Sequence, residues 1–122
     1  MGTVPARPEY VRVLRAVARA VAARADFTTD RIEDLQLAVD EACSAVLSLP
    51  VEAGTLTLRI SPGEGSLVVF VCSDAEVDAQ GWPPRGVEES LPWRVLSALA
   101  DEATFELAEV GPSVRVAFKG PA

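Results

Sequence analysis

The sequence has 122 residues, the length of one domain, and we treat residues 1–122 as a single folded unit. Hydrophobic residues make up 49% and charged residues 24% of it, with no signal-peptide pattern and no apolar run near the roughly 18 residues of a membrane span, so we expect a cytoplasmic globular protein. The formal net charge of −7 argues against nucleic acid as a partner, because phosphates would be repelled, and suits a basic protein partner.

The first predicted helix begins at Pro8, after a segment too short for more than an edge strand. Its apolar side is formed by residues at helical spacing, namely Val11, Leu14, Ala18 and Val21. Arg12, Arg15 and Arg19 form a second stripe that faces elsewhere, and Tyr10 lies beside it either as an aromatic anchor for a partner or as a core residue. Two interpretations of the stripe are open. It is either a solubilising face, on which the aliphatic parts of the arginine side chains cover apolar surface, or a docking ridge for an acidic surface of a partner.

The second predicted helix covers residues 30–49, where apolar residues recur at steps of three and four: Ile32, Leu35, Val39, Cys43 and Val46. Asp30 and Glu33 have the spacing of a capping box, and Pro50 marks where the helix must stop. Glu41 lies on the flank of the apolar stripe. There it is either a solvated helix acid or a carboxylate facing a groove at the edge of the surface on which the helix packs.

The second half of the chain is mostly extended. Residues 55–60 and 67–72 predict an antiparallel hairpin across the Gly-rich turn 62–66, whereas residues 73–90 break every periodicity and predict a long loop. A third helix follows Leu91, with Ser90 as its N-cap and with Val95, Leu96 and Leu99 on its apolar side. Residues 103–107 and 114–118 alternate as two more strands. This order predicts helices stacked on one face of a largely antiparallel sheet.

The two cysteines, Cys43 and Cys72, fall in apolar segments, one helical and one extended. Buried, reduced thiols are therefore expected at both positions. Because the chain contains no histidine, we expect no metal site built on these cysteines.

Two runs resemble one known family. LAVDEACSAV, residues 37–46, resembles the N-box helix of the anti-sigma regulatory kinases, the RsbW/SpoIIAB-type proteins among the GHKL (Bergerat-fold) ATPases. LPWRVLSALADEATFE, residues 91–106, resembles the last helix and following strand of an actinobacterial branch of that family whose nucleotide motifs are degenerate. With the helical stretch 8–25, the resemblance covers nearly the whole chain in the right order. It implies a two-layer α/β sandwich of the Bergerat type.

The family pattern also implies a nucleotide site, which this sequence matches only at Glu41, the carboxylate that would activate an attacking hydroxyl. Ala45 stands where the family has the Asn that holds Mg²⁺, and it has no oxygen for a hard cation. The DxGxG element falls on residues 73–77, where Ser73 replaces the Asp, and Ala75 and Val77 replace the glycines. Asp74 is one residue out of register, so its side chain is expected on the other face of the strand.

The expected lid over the phosphates is acidic, with Asp74, Glu76, Asp78, Glu88 and Glu89 against one base, Arg85. A triphosphate would be repelled there, because phosphate sites supply backbone N–H groups, basic side chains or metal. Phosphoryl transfer depends mainly on positioning and charge neutralisation. We therefore expect a kinase fold that has lost kinase chemistry, with no ATP or Mg²⁺ as cofactor.

The resemblance implies an anti-sigma factor that sequesters an alternative stress or developmental sigma factor and is countered by an anti-anti-sigma protein of the sulphate-transporter-like (STAS) class. In the family, a helix-one arginine at the position of Arg12 contacts these partners, and homodimers are usual, although the first strand that helps to build their interface is shortened here. Alternatives are an active serine/threonine protein kinase with Glu41 as base, a ligand sensor with Trp82 and Trp93 as apolar walls, and an oligomeric scaffold. For both tryptophans, core packing is the other interpretation.

Overall fold

The structure is a computed structural model that describes residues 2–49, 54–63, 65–77 and 80–120. Its helices and strands follow in the order β1 (Gly2–Pro5), α1 (Val11–Arg24), α2 (Thr29–Leu47), β2 (Thr55–Gly63), β3 (Ser66–Ser73), α3 (Leu91–Leu99), β4 (Glu102–Ala108) and β5 (Gly111–Lys119). Short 3-10 turns at Pro8–Tyr10 and Val87–Glu89 precede α1 and α3. None of the helices in these described ranges is long and apolar enough to cross a membrane.

The five strands form one sheet in the order β1-β2-β3-β5-β4, and every neighbouring pair is antiparallel. Alternate residues of the three central strands are buried in one core with the helices: Leu56, Leu58, Ile60, Leu67, Val69, Val71, Val114, Val116 and Phe118. The period of two puts these apolar side chains on one face and the polar ones on the other. The helices cover the apolar face, which confirms the predicted two-layer α/β sandwich and the predicted hairpin of β2 and β3.

The buried side of each helix follows the predicted spacing in α1 and α2 but not fully in α3. In α1 the predicted core residues Leu14 and Ala18 are fully buried, and the predicted Val11 and Val21 are partly buried. Ala22, which was not predicted, is fully buried as well. All five predicted core residues of α2 are buried: Ile32, Leu35, Val39, Cys43 and Val46. In α3 only Leu96 is buried, and Val95 is 41% exposed, so the prediction that Val95 faces the core was wrong. Because α3 has only nine residues, few of its side chains face the sheet, and these are Leu96 and, stacked on Phe105, Trp93.

The N-cap of α2 is Thr28, whose side chain accepts a hydrogen bond from the backbone N–H of Arg31 at 3.2 Å. The predicted capping box of Asp30 and Glu33 was therefore wrong, because the helix starts before Asp30. Ser90 caps α3 as predicted, accepting from the N–H of Trp93 at 3.3 Å. The predicted stop at Pro50 lies outside the described residues, and α2 ends at Leu47.

Arg31 ties the start of α2 to the end of α3 and to β5. Its guanidinium donates to the carbonyl of Leu99 at 2.9 Å, to Oδ2 of Asp101 at 2.7 Å and to the carbonyl of Lys119 at 3.3 Å, and it lies 4.9 Å from the ring centroid of Phe118. Asp101 in turn accepts from the N–H of Lys119 at 2.6 Å. One side chain thus satisfies the last carbonyls of two other elements.

Both cysteines are free and buried, as predicted. Burial, together with the nearby carboxylate of Asp40, raises the pKa of the Cys43 thiol to about 12. Burial also raises the pKa of Cys72 above its usual value, against the opposing influence of Arg59. Neither thiol is therefore activated as a nucleophile, because that requires a lowered pKa.

Candidate functional site

The arginine stripe on α1 contains one paired and two unpaired cations. Nη1 of Arg15 donates to both carboxylate oxygens of Asp40 on α2, at 2.9 and 3.2 Å. Arg12 and Arg19 are exposed and have no ion-pair partner among the residues that the structure describes. The stripe therefore presents Arg12 and Arg19 as available positive charges, whereas Asp40 largely neutralises Arg15.

An open groove of about 620 Å³ runs between α1 and α2. Its lining combines both charge signs with apolar side chains: Pro8, Glu9, Val11, Arg12, Arg15, Asp40, Ser44, Leu47 and Ser48. Arg12 and Arg15 thus share this groove, whereas Arg19 and Tyr10 are exposed outside it. The groove thus combines apolar side chains with the guanidinium of Arg12, which has no ion-pair partner among the described residues and can bind a carboxylate.

Glu41 lies in a smaller cleft between α2 and α3. The cleft has a volume of about 180 Å³ and is lined by residues from α2, the loop and α3: Glu41, Ser44, Ala45, Ser48, Val87, Ser90, Pro92 and Trp93. Glu41 is partly buried and has no hydrogen-bond or ion-pair partner within the described ranges. The volume of the cleft lies below the roughly 300–1,000 Å³ of pockets that hold drug-sized ligands.

Residues 73–77, on which the DxGxG element of the family pattern falls, do not line the Glu41 cleft. Ser73 is buried and its hydroxyl accepts from the N–H of Ala75 at 3.2 Å. Asp74, Ala75 and Val77 belong instead to an open acidic hollow of about 610 Å³ beside the turn between β4 and β5. The structure therefore separates these residues from Glu41 and Ala45.

Asp74 has a structural role at the start of β2. Its Oδ1 accepts from the N–H groups of Thr55 at 3.0 Å and Gly54 at 2.8 Å. These bonds, that from Thr55 foremost, hold the pKa of Asp74 below its usual range. Oδ1 of Asp74 thus holds the backbone at the start of β2.

Trp82 and Trp93 contact the same ring, that of Phe105 on β4. Trp82 is 4% exposed, meets Phe105 edge-on at a centroid distance of 5.3 Å, and donates from Nε1 to the carbonyl of Ser113 at 3.2 Å. Trp93 stacks on Phe105 at 4.1 Å and also lines the Glu41 cleft. Core packing is thus the right interpretation for Trp82, whereas Trp93 both packs on the sheet and forms a cleft wall.

Sequence reasoning missed two members of these sites. The sequence analysis did not predict a role for Asp40, although Asp40 pairs with Arg15 and so leaves Arg12 as the arginine of the groove that has no ion-pair partner among the described residues. Phe105 was treated only as a strand residue, although it holds both tryptophans. The signal for Asp40 was weak, because nothing in the sequence links it to Arg15, 25 positions earlier.

The family model described as histidine kinase-like ATPase domain matches residues 4–118. The chain is 34% identical over 102 residues to the anti-sigma-F factor RsbW of Mycobacterium tuberculosis (strain ATCC 25618 / H37Rv), an alignment that covers 81% of this chain and 56% of that protein. It is 37% identical over 76 residues to the serine-protein kinase RsbW of Bacillus subtilis (strain 168), covering 60% and 48% of the two chains. These matches confirm the resemblance to RsbW-type proteins, and the chain spans about half the length of these relatives.

Proposed function

The chain belongs to the histidine kinase-like ATPase domain family, and from this membership and its docking groove we propose that it is an anti-sigma factor. It sequesters an alternative sigma factor of the stress or developmental type by masking the surface that binds RNA polymerase. A STAS-class anti-anti-sigma protein competes for the same surface and releases the sigma factor. The names of the relatives, an anti-sigma-F factor and a serine-protein kinase, support this assignment.

The observation that carries the proposal is the guanidinium of Arg12, which lies in the open groove between α1 and α2 and has no ion-pair partner among the described residues. Asp40 already binds Arg15, so Arg12 is the cation of this groove that a partner carboxylate can engage. The neighbouring apolar residues Val11 and Leu47 would exclude water from the contact around this charge, as the apolar centre of a protein interface does.

The same proposal includes the loss of phosphoryl transfer. Ala45 supplies no ligand for Mg²⁺, the cleft beside Glu41 is small, and Asp74 is bonded to the backbone of β2. The chain then regulates by binding alone, and another input must modify its STAS-class antagonist. ATP and Mg²⁺ are not cofactors in this account.

One feature favours an alternative, an active serine/threonine protein kinase: Glu41 is a partly buried carboxylate in a cleft, without a hydrogen-bond or ion-pair partner among the described residues, and is therefore available as a general base. Incubation of the protein with labelled ATP, Mg²⁺ and STAS proteins of its host separates the two functions. Transfer of label to a serine or threonine, lost in Glu41→Gln, would establish the kinase. Absence of transfer, for a protein that still binds its partners, fits the anti-sigma factor.

The direct test is affinity capture with the tagged chain from its own host, followed by reconstitution of any complex from purified components. A sigma factor that binds one-to-one or one-to-two and is displaced by a STAS-class protein is the expected result. If purified sigma factors of the host fail to bind at micromolar concentrations, the proposal is wrong. A host-cell transcription assay from a promoter of that sigma factor then measures repression.

A further inference from the structure

The cleft beside Glu41 lies on the α3 side of α2, whereas the groove of Arg12 lies on the α1 side, so a role of the cleft does not depend on the function proposed above. Among the described residues that line the cleft, Glu41 is the only charged one. Its partly buried carboxylate has no hydrogen-bond or ion-pair partner in the described ranges. A carboxylate binds most strongly to a cation that brings hydrogen-bond donors, so the charge of the cleft favours a cationic ligand.

Two serine hydroxyl groups of the cleft can act only as acceptors toward a ligand. Oγ of Ser48 donates to the carbonyl of Ala45 at 2.7 Å, and Oγ of Ser90 donates to the carbonyl of Val87. A hydroxyl group has one proton, so neither serine can donate a second hydrogen bond, although each oxygen can still accept one. The cleft therefore offers three acceptors, on Glu41, Ser48 and Ser90, to a group that is rich in donors.

The backbone N–H groups that border the cleft on the α3 side are already bonded. The N–H of Val87 donates to the carbonyl of Pro84 at 3.2 Å, and that of Ser90 donates to the carbonyl of Val87 at 3.0 Å. The N–H of Trp93 donates to Oγ of Ser90 at 3.3 Å, and Pro92 has no N–H. Anion sites at helix starts depend on free N–H groups, and these residues supply none. The cleft thus suits a ligand that is opposite in charge to a nucleotide.

The other walls of the cleft are apolar and suit a short alkyl chain. They are formed by Ala45, Val87, Pro92 and Trp93, and stacking on Phe105 at 4.1 Å holds the ring of Trp93 in place. The cleft has a volume of about 180 Å³. Since a water molecule takes up about 30 Å³ in the liquid, there is room for about six non-hydrogen atoms. This is the size of a small alkylamine or of a lysine side chain.

We propose that this cleft binds a primary ammonium group at the end of a short alkyl chain, supplied either by a free alkylamine or by a lysine side chain of another protein. The N–H donors of the ammonium group bind the carboxylate of Glu41 and the hydroxyl oxygens of Ser48 and Ser90. The alkyl chain packs against Pro92 and Trp93, which removes apolar surface from water. The net charge of −7 adds a long-range attraction for cations.

Two-dimensional NMR titration of the isotope-labelled protein with n-butylammonium chloride tests the site. The backbone amide signals of Ala45 and Ser90 and the indole signal of Trp93 report on the cleft, because these residues line it and do not line the groove of Arg12. We expect these signals to shift saturably, with a dissociation constant on the order of 1–10 mM for so small a ligand.

Two further compounds separate the contributions of the charge and of the N–H donors. Neutral n-butanol has the alkyl chain without the charge, and tetramethylammonium has the charge without N–H donors, so each should bind about fivefold more weakly or worse. Binding of n-butanol as tight as that of n-butylammonium would overturn the proposal. Shifts at Glu76 and Glu109 that follow the same binding curve would also overturn it. These residues line the acidic hollow, and such shifts would show an unselective attraction of cations.

Variants of the protein test the role of Glu41 and the location of the site. Glu41→Gln keeps the shape of the side chain and removes its charge, so it should raise the dissociation constant for n-butylammonium about fivefold or more. Glu33→Gln makes the same change in charge at an exposed position of α2 outside the cleft and should leave the constant unchanged. Ala45→Leu fills the cleft, keeps Glu41 and should abolish the binding. A folded Glu41→Gln protein that binds as tightly as the original would refute the proposal.

A second pair of probes separates the two sources of the ammonium group. Nα-acetyl-lysine N-methylamide imitates a lysine within a protein chain, and cadaverine is a free diamine. We expect the lysine derivative to bind more tightly, because exposed apolar side chains next to the cleft can contact its acetyl and N-methyl groups. These are Leu37, one helical turn before Glu41, and Leu91, which precedes Pro92. Tighter binding of cadaverine would instead assign the cleft to a free amine. If neither compound binds saturably up to about 50 mM, the cleft is not an ammonium site.

Discussion

Asp40 and Glu41 are consecutive residues of α2 whose carboxylates lie on different sides of the helix, one in the groove beside α1 and the other in the cleft beside α3. Asp40 accepts from Arg15 of α1 at 2.9 Å, whereas Glu41 lines the cleft beside α3 and has no ion-pair partner among the described residues. The groove and the cleft share only Ser44 and Ser48 in their linings. A protein bound over Arg12 and a ligand beside Glu41 would therefore contact different carboxylates of one helix.

The pair of Arg15 and Asp40 should contribute little to stability. Both side chains are partly exposed, so Asp40→Asn is expected to lower the free energy of unfolding by only about 0.5–1 kcal/mol. Urea denaturation measures this, and a double-mutant cycle with Arg15→Gln isolates the coupling between the two side chains. A loss of about 3 kcal/mol or more would mean that the pair is shielded from solvent.

Arg12→Glu should weaken partner binding and leave the fold intact. The side chain is exposed and has no ion-pair partner among the described residues, so the melting temperature should stay within a few degrees of the original. Binding of the proposed sigma-factor partner should fall at least tenfold, because the new carboxylate would face the carboxylate that we propose binds Arg12. Calorimetric titration and thermal melting check the two parts. Arg24→Glu, at the far end of α1, is the control with the same change in charge. Unchanged binding would show that the stripe is only a solvated face.

Arg31→Ala should be among the most destabilising surface substitutions. It removes three hydrogen bonds and the contact with Phe118, and it leaves the carbonyl of Leu99 without its partner. We expect a loss of about 2–4 kcal/mol in the free energy of unfolding, measured in urea. Arg19→Ala, an exposed arginine that has no ion pair within the described ranges, should change it by less than about 0.5 kcal/mol. Equal effects of the two would contradict the role assigned to Arg31.

Stability should fall in acid through Asp101 and Asp74. The N–H of Lys119 foremost, with Arg31, holds the pKa of Asp101 below its usual range, as the N–H of Thr55 does for Asp74. Because the folded pKa is the lower one, the stabilisation is complete above the unfolded value of about 3.9 and is lost as pH falls through the folded pKa. Urea midpoints measured from neutral pH down to about pH 2 should therefore fall less steeply in Asp101→Asn.

Restoring the missing amide should not restore nucleotide binding. Ala45→Asn supplies the oxygen that the family pattern uses for Mg²⁺, but the cleft stays near 180 Å³ and Asp74 stays bonded to β2. Calorimetric titration with ATP and Mg²⁺ should show no binding in the micromolar range for either the original protein or the variant. Micromolar binding of ATP by the original protein would refute the proposed loss of the nucleotide site. Binding of ATP by the variant alone would show that Ala45 causes this loss.

The fold was largely predictable because its patterns are local. The spacing in α2 and the alternation in the strands both reflect burial on one face of an element, and the structure confirms them. The cap of α2 was not predictable in the same way. Thr28 and Asp30 are both good capping residues, and the choice depends on the extended backbone of Thr28, which residue spacing does not encode. The prediction for Val95 was wrong because Trp93 and Leu96, three positions apart, form the packed side of α3, and Val95 lies about 200° from Trp93 around the helix.

The sites were less predictable because they depend on contacts between distant residues. That Arg15 meets Asp40 while Arg12 meets no carboxylate among the described residues follows from the packing of α1 on α2. Asp74 directly follows β3, which ends at Ser73, and it lines a different hollow from the cleft of Glu41 on α2. That separation depends on how the sheet packs on α2, which the spacing of residues does not show. The roles of Arg12, Arg15, Arg19 and Tyr10 in docking stay predictions, as does the vestigial role of Glu41.

Trp82 and Trp93 both contact Phe105 but lie in different surroundings, so their fluorescence reports on different events. Indole emission responds to the polarity around the ring. Trp82 is buried, so its emission should change only when the protein unfolds globally. Trp93 lines the cleft, so its emission should also change when a small molecule binds beside Glu41. With Trp82→Phe as background, a fluorescence titration of unlabelled protein can survey small molecules for that cleft directly.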